Sequence, residues 1–176
     1  MKVVGTFVPG LFAFKFEGQT KDELERLFDD WANPVFLEEF FENEKLDLIY
    51  HNTNVEAAVF RTMDEALGLE GKLLTIAEQP FPDGISSFFK NLENNRIKPR
   101  INEKQKGRYR WLRIYALRID RDLFVVTGGA IKLHLEMKDR DHTKEELLKL
   151  ELCRNYLHKQ GIMDSDSYYE FLYEDK

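Results

Sequence analysis

The sequence predicts an α+β fold in which an antiparallel β-meander is packed by helices and preceded by a mainly helical, acidic extension. Three observations carry that expectation. Apolar residues recur at helical spacing through residues 20–92, and the period changes to two from Arg108 onward. Hydrophobic side chains make up 43% of the 176 residues and aromatic ones 13%, enough to build a sizeable core. Charge is split along the chain: residues 1–95 carry 8 Lys/Arg against 18 Asp/Glu, whereas residues 96–121 carry 10 against 2. A single domain is expected, with 1–95 as the acidic hairpin-plus-helices extension, 96–160 as the core and 161–176 as a final helical segment.

Val3–Val8 and Leu11–Phe16 flank Pro9-Gly10, and Phe12, Phe14 and Phe16 share one parity, so an antiparallel strand pair is predicted. Thr20 and Glu23 read as a capping box. Leu24, Leu27, Phe28 and Trp31 then give a helix its buried stripe. Asn33-Pro34 ends that helix and starts another through about Glu42. Asn54 caps a third, with Val55, Val59, Met63, Ala66 and Leu67 on one face and Gly68 or Gly71 near its end. Short helical segments are expected at Lys72–Glu78 and Ser86–Leu92, and a loop or joint at Asn91–Lys106. Arg108–Ile119 reads as a strand, Leu123–Thr127 as its partner after an Asp120–Asp122 turn, and Ala130–Met137 as a further strand after a turn or bulge at Gly128-Gly129. Thr143 and Glu146 form a second capping box for a helix to about Lys159, with Leu148, Leu152 and Tyr156 on one side. An amphipathic segment follows Asp164.

Several function classes are excluded. The lone Cys153 allows no intramolecular disulfide and no cysteine zinc cage, and it fits a reducing cytoplasm. No apolar run approaches the roughly 20 residues of a membrane span. The uncharged Val3–Phe14 stretch is split by Pro9-Gly10 and lacks a cleavage site, so it reads as a hairpin rather than a signal peptide. The histidines are scattered without metal-ligand spacing, and neither a phosphate-cradling glycine pattern nor G-x-S-x-G occurs. No metal or cofactor is expected.

The basic block points to an anionic partner. If 108–119 is one continuous strand, Arg108, Arg110 and Arg118 share a face, and Lys132 and His134 share one along 130–137. A sheet then presents Arg110, Arg118, Lys132 and His134 together. Arg113 falls among aromatics, where it either stacks on Trp111 or Tyr115 or contacts a phosphate. Such a surface suits metal-independent RNA cleavage: Arg and Lys stabilise charge gathering on phosphorus, and His, Lys or Tyr serve the proton transfers. His51, His142 and His158 read as structural.

The stretch Gly107–Lys132, G-R-Y-R-W-L-R-I-Y-A-L-R-I-D-R-D-L-F-V-V-T-G-G-A-I-K, followed by the helix from Thr143, resembles HigB-like toxins of the RelE/ParE superfamily over about residues 85–160. Leu112-Arg113-Ile114 matches that family's Leu-Arg-aliphatic strand, Leu117-Arg118-Ile119 a repeat of it, and Gly129-Ala130-Ile131-Lys132 the strand ending in a basic residue. The family's paired basic residues after the last strand appear here as separated Lys132 and Lys138, and the acidic first half makes this chain longer than the compact toxins. The resemblance implies a RelE-like antiparallel sheet and a type II toxin that cleaves ribosome-bound mRNA. Arg113, Arg118 and Lys132 are its catalytic candidates, joined by His134 from the face argument. Arg108, Tyr109, Arg110 and Lys138 are the RNA-binding candidates. The implied partners are a cognate antitoxin, with a helix-turn-helix protein as one expected type, and the ribosome with its mRNA. The alternative is a non-enzymatic interaction protein whose basic sheet face binds an acidic protein or RNA.

Overall fold

Six strands, β1 (Lys2–Gly5), β2 (Leu11–Lys15), β3 (Phe89–Asn91), β4 (Glu103–Tyr109), β5 (Leu112–Asp120) and β6 (Leu123–Ile131), form one sheet in the order β1-β2-β6-β5-β4-β3. The computed structural model describes residues 1–79, 84–92, 102–133 and 141–174. The predicted N-terminal hairpin is present as β1–β2. It docks on the meander with β2 parallel to β6, Leu11 lying opposite Phe124 and Ala13 opposite Val126. The fold is α+β as expected, but the sheet is mixed: every neighbouring pair is antiparallel except β2 with β6. Side-chain alternation along β2 sets which faces it buries, and it carries no information about a neighbour's direction.

Helices α1 (Glu23–Ala32), α2 (Pro34–Asn43), α3 (Lys45–Tyr50) and α4 (Val55–Glu78) cover one face of the sheet. Helices α5 (Asp141–Lys159) and α6 (Ser165–Glu174) cover the other. The α1 stripe is as predicted, with Leu24, Leu27 and Trp31 buried. Its capping box sits two residues later than expected: Asp22 Oδ1 accepts from Leu24 N and Glu25 N at 2.9 and 3.0 Å, and the Glu25 carboxylate accepts from Asp22 N. Aspartate caps at least as well as threonine, and its acceptor falls in register with the buried stripe.

Asn54 caps α4 as predicted, its side chain accepting from Ala57 N at 2.9 Å. The helix then runs 24 residues straight through Gly68 and Gly71, uniting two expected segments. Leu67, placed on the buried face by spacing, is exposed. The two glycines differ in surroundings, which gives opposite expected outcomes. A Cβ at Gly71 meets nothing within 4 Å, so Gly71→Ala should stabilise by about 1 kcal/mol through helix propensity. A Cβ at Gly68 would lie 2.9 Å from Tyr109 Cζ and closer still to its hydroxyl, so Gly68→Ala should destabilise despite the same propensity gain. Urea midpoints of the two variants check the signs.

The second half differs more. The strand expected over Arg108–Ile119 is two strands, because the chain turns at Arg110-Trp111 with Tyr109 paired to Leu112. The Gly128-Gly129 pair is no turn: β6 passes through it. A bulge at Thr127, between the pairs Tyr115–Gly128 and Ala116–Val126, reverses the parity of the residues after it. The Ser86–Leu92 helix is instead a 3-10 turn (Gly84–Ser87) followed by β3, and Glu103–Lys106, expected in a loop, belongs to β4. Strand β5 is buried on both faces, packing Leu112, Ile114 and Ala116 under α1, α2 and α4, and Tyr115, Leu117 and Ile119 under α5 and α6. The open basic sheet face is therefore absent at its centre. Thr143 is buried inside α5 rather than capping it. That helix buries Leu150, Cys153 and Leu157 and leaves Leu148 and Leu152 exposed, the reverse of the expected stripe. Tyr156 lies between the two stripes, its hydroxyl donating to Met1 O. No helix among the described residues is long and apolar enough to cross a membrane.

Candidate functional site

The β4–β5 turn gathers most of the basic residues singled out by the sequence. Arg110 sits in it with φ of 53°, a left-handed conformation that costs a non-glycine residue about 1 kcal/mol or more. The turn is clamped from two sides. Trp111 N donates to Glu65 Oε2 at 3.4 Å, and Lys132 N donates to Trp111 O at 2.8 Å. Its own carbonyl organises the cations around it: Arg110 O accepts from Arg113 Nη1 at 2.6 Å and from Arg108 Nε at 3.3 Å.

Arg108 and Arg113 face each other across β4 and β5 and so share one side of the sheet. Arg113 is only 9% exposed. Its Nη1 is satisfied by Arg110 O and Leu112 O, yet among the described residues its Nε and Nη2 have no protein partner and no carboxylate lies within ion-pair distance. Burial, then the neighbouring Arg108 charge, hold its pKa below the ordinary arginine value. A guanidinium carries five N–H donors, so three remain for a ligand. Arg110 lies with its guanidinium carbon 5.8 Å from the centroid of the Tyr109 ring, and that ring packs against the core beside Gly68.

The other side of the turn is built by residues that the sequence does not mark as functional. Arg61 lies over the Trp111 ring, its guanidinium carbon 3.8 Å from the centroid, and its Nε donates to Glu65 Oε1 at 2.7 Å. Of the alternatives open to Arg113, the stack on Trp111 is thus made by Arg61 instead. His51 approaches Trp111 edge-on and donates from Nε2 to Leu133 O at 2.8 Å. Because a carbonyl only accepts, neutral His51 carries its proton on Nε2 and leaves Nδ1 as a proton acceptor. His142 bonds Ile131 O in the same way at 3.2 Å. Lys132, between those two carbonyls, is half-buried.

Arg118 does not join this group. It lies five residues along β5, roughly 16 Å away at the usual strand rise, and on the opposite face. There its Nε donates to Asp120 O at 3.3 Å. His134 and Lys138 lie outside the described residues. His158 is exposed near the end of α5. Of the newly placed residues, only the Arg61–Glu65 spacing of four was a readable sign, and it implied a helix ion pair rather than a contact 46 residues away.

Comparison with protein-family models, with curated proteins and with solved structures found no match to this chain.

Proposed function

We propose that this chain binds single-stranded RNA at the β4–β5 turn and cleaves it without a metal, as a toxin-type ribonuclease of the RelE/ParE kind. One observation carries the reading: Arg113 is nine-tenths buried beside a second arginine, with donors left over and no carboxylate to neutralise it among the described residues. Burying a cation next to a like charge is unfavourable unless an anion completes the site. A phosphate supplies paired oxygens that fit a guanidinium fork. In cleavage, Arg113 would stabilise the charge that gathers on phosphorus. The expected antitoxin would cover these arginines with an acidic segment.

A second reading keeps the site and drops the chemistry: the same arginines bind an acidic protein segment without catalysis. It is favoured by the separation of Arg118 from Arg113, which breaks up the catalytic set the resemblance implied.

Fluorescence anisotropy with a labelled RNA oligonucleotide tests the binding, and ribosome-programmed mRNA cleavage with growth on induced expression tests the chemistry. Arg113→Met, which keeps the apolar stem, should weaken RNA binding by about tenfold or more, the usual worth of a charged hydrogen bond. It should also lower the slope of log affinity against log salt by about 0.7 for each phosphate no longer neutralised. Arg118→Ala should bind as wild type does. Equal binding by Arg113→Met and wild type, or no RNA binding by wild type at low salt, refutes the proposal. RNA binding with neither cleavage nor growth arrest moves the conclusion to the second reading.

A further inference from the structure

The Arg61 side chain is held more firmly than an exposed arginine needs to be. Its Nε donates to Glu65 Oε1 at 2.7 Å, and the Glu65 side chain is fully buried. The second carboxylate oxygen accepts from the main-chain N–H of Trp111. One face of the guanidinium then rests on the Trp111 ring, 3.8 Å from its centroid, while the side chain as a whole stays 44% exposed. The outer face of the plane is therefore open to solvent, and Nη1 and Nη2 have no partner among the described residues. Trp111, beneath the guanidinium, lies two residues before Arg113, so the stack and the anion site belong to the two sides of one turn.

We infer that the open face of the Arg61 guanidinium is a stacking platform for a base of the bound RNA, across the turn from the phosphate site at Arg113. The inference rests on the RNA reading and deepens it, because it assigns the ligand a splayed base as well as a phosphate. Arginine planes and aromatic rings are the surfaces on which unstacked bases settle. Here the two are already layered, indole beneath and guanidinium above. The Glu65 bond fixes the plane before a ligand arrives, so little side-chain freedom remains to be lost on binding.

The test uses the full chain and three probes: an oligouridylate, an oligomer of the same length with abasic riboses, and inorganic polyphosphate. Wild type should bind the oligouridylate about tenfold or more tighter than the abasic oligomer, the usual worth of one stacked base. Arg61→Lys keeps the charge and can still bond Glu65, but it has no plane; it should bring that ratio to near one. Polyphosphate affinity reads charge alone and serves as the internal reference for both proteins. A wild-type ratio near one overturns the platform and leaves the RNA reading standing, provided Arg113→Met still weakens all three probes. A ratio that survives Arg61→Lys also overturns it, since the base then sits elsewhere. If wild type binds none of the probes at low salt, the RNA reading fails and the platform with it.

Discussion

A fragment ending at residue 95 is expected to show no cooperative unfolding transition, although it contains the N-terminal hairpin and the four helices α1 to α4. The hairpin is held by β6, from the far half of the chain, through the pairs Leu11–Phe124 and Ala13–Val126. Alone it would be a two-stranded ribbon, which is marginal in water. The helices are in the same position. Leu24, Leu27, Trp31, Leu37, Phe41, Leu69 and Leu73 are buried in one cluster with Leu112, Ile114, Ala116, Phe124 and Val126. Burying one such large apolar side chain contributes about 1.5–3 kcal/mol. Losing the sheet face under several of them exceeds the roughly 5–15 kcal/mol that separates folded from unfolded domains. Thermal circular dichroism and amide hydrogen exchange on residues 1–95 provide the measurement. A sharp melt with protected amides would show instead that the acidic half is an independent unit.

The elements readable in the sequence are those that local chemistry specifies. The α1 stripe, the Asn54 cap and the Pro9-Gly10 hairpin each declare themselves within a few residues. The misread elements depend on partners distant in sequence. Arg110-Trp111 has no glycine, proline or asparagine to announce a turn. It turns because Glu65 and Lys132 bind the Trp111 main chain and because the ladder of β4 with β5 closes on Tyr109 and Leu112. The bulge at Thr127 is announced within one residue by Gly128-Gly129, which reads as a turn or bulge, but glycines do not say which, and the bulge reverses the faces of every later residue in β6. Those two irregularities explain why Arg110, Arg118 and Lys132 do not form the single surface that strand parity assembles from them. Composition alone located the basic region. The contribution of Arg61, Glu65 and His51 was invisible because each meets the turn through a contact distant in sequence.

Lys149→Met is expected to lower stability by about 3 kcal/mol at neutral pH, and by less near pH 5. Lys149 joins α5 to α1: its Nζ lies 3.0 Å from Glu23 Oε2 and 2.9 Å from Glu146 Oε1, above Gly128. Glu23 is 1% exposed and keeps Arg26 as a second partner at 2.8 Å, but Glu146 has its other oxygen buried with no hydrogen bond among the described residues. Burial holds the Glu146 carboxyl above the ordinary glutamate range, with Lys149 pulling the other way. Removing Lys149 should raise it further. A carboxyl with a raised folded pKa favours folding below its unfolded pKa, and that contribution is lost as pH rises through the folded value. The Glu23 carboxyl works in the opposite sense. Burial raises it, Arg26 and Lys149 more than offset that, and the net position is below the ordinary value. Its contribution in wild type is present above the unfolded pKa and is lost as pH falls through the folded one. The Glu146 effect makes the wild-type advantage larger at pH 8 than at pH 5, whereas the Glu23 contribution is still present at pH 5 and fades only at more acid pH. The double variant Lys149→Met/Glu146→Gln should recover part of the loss at pH 8, because the unpaired buried charge is gone. Urea unfolding at the two pH values decides it. A penalty that does not change with pH, or a double variant no more stable than Lys149→Met at pH 8, would mean that Lys149 holds the helices together by packing rather than by charge.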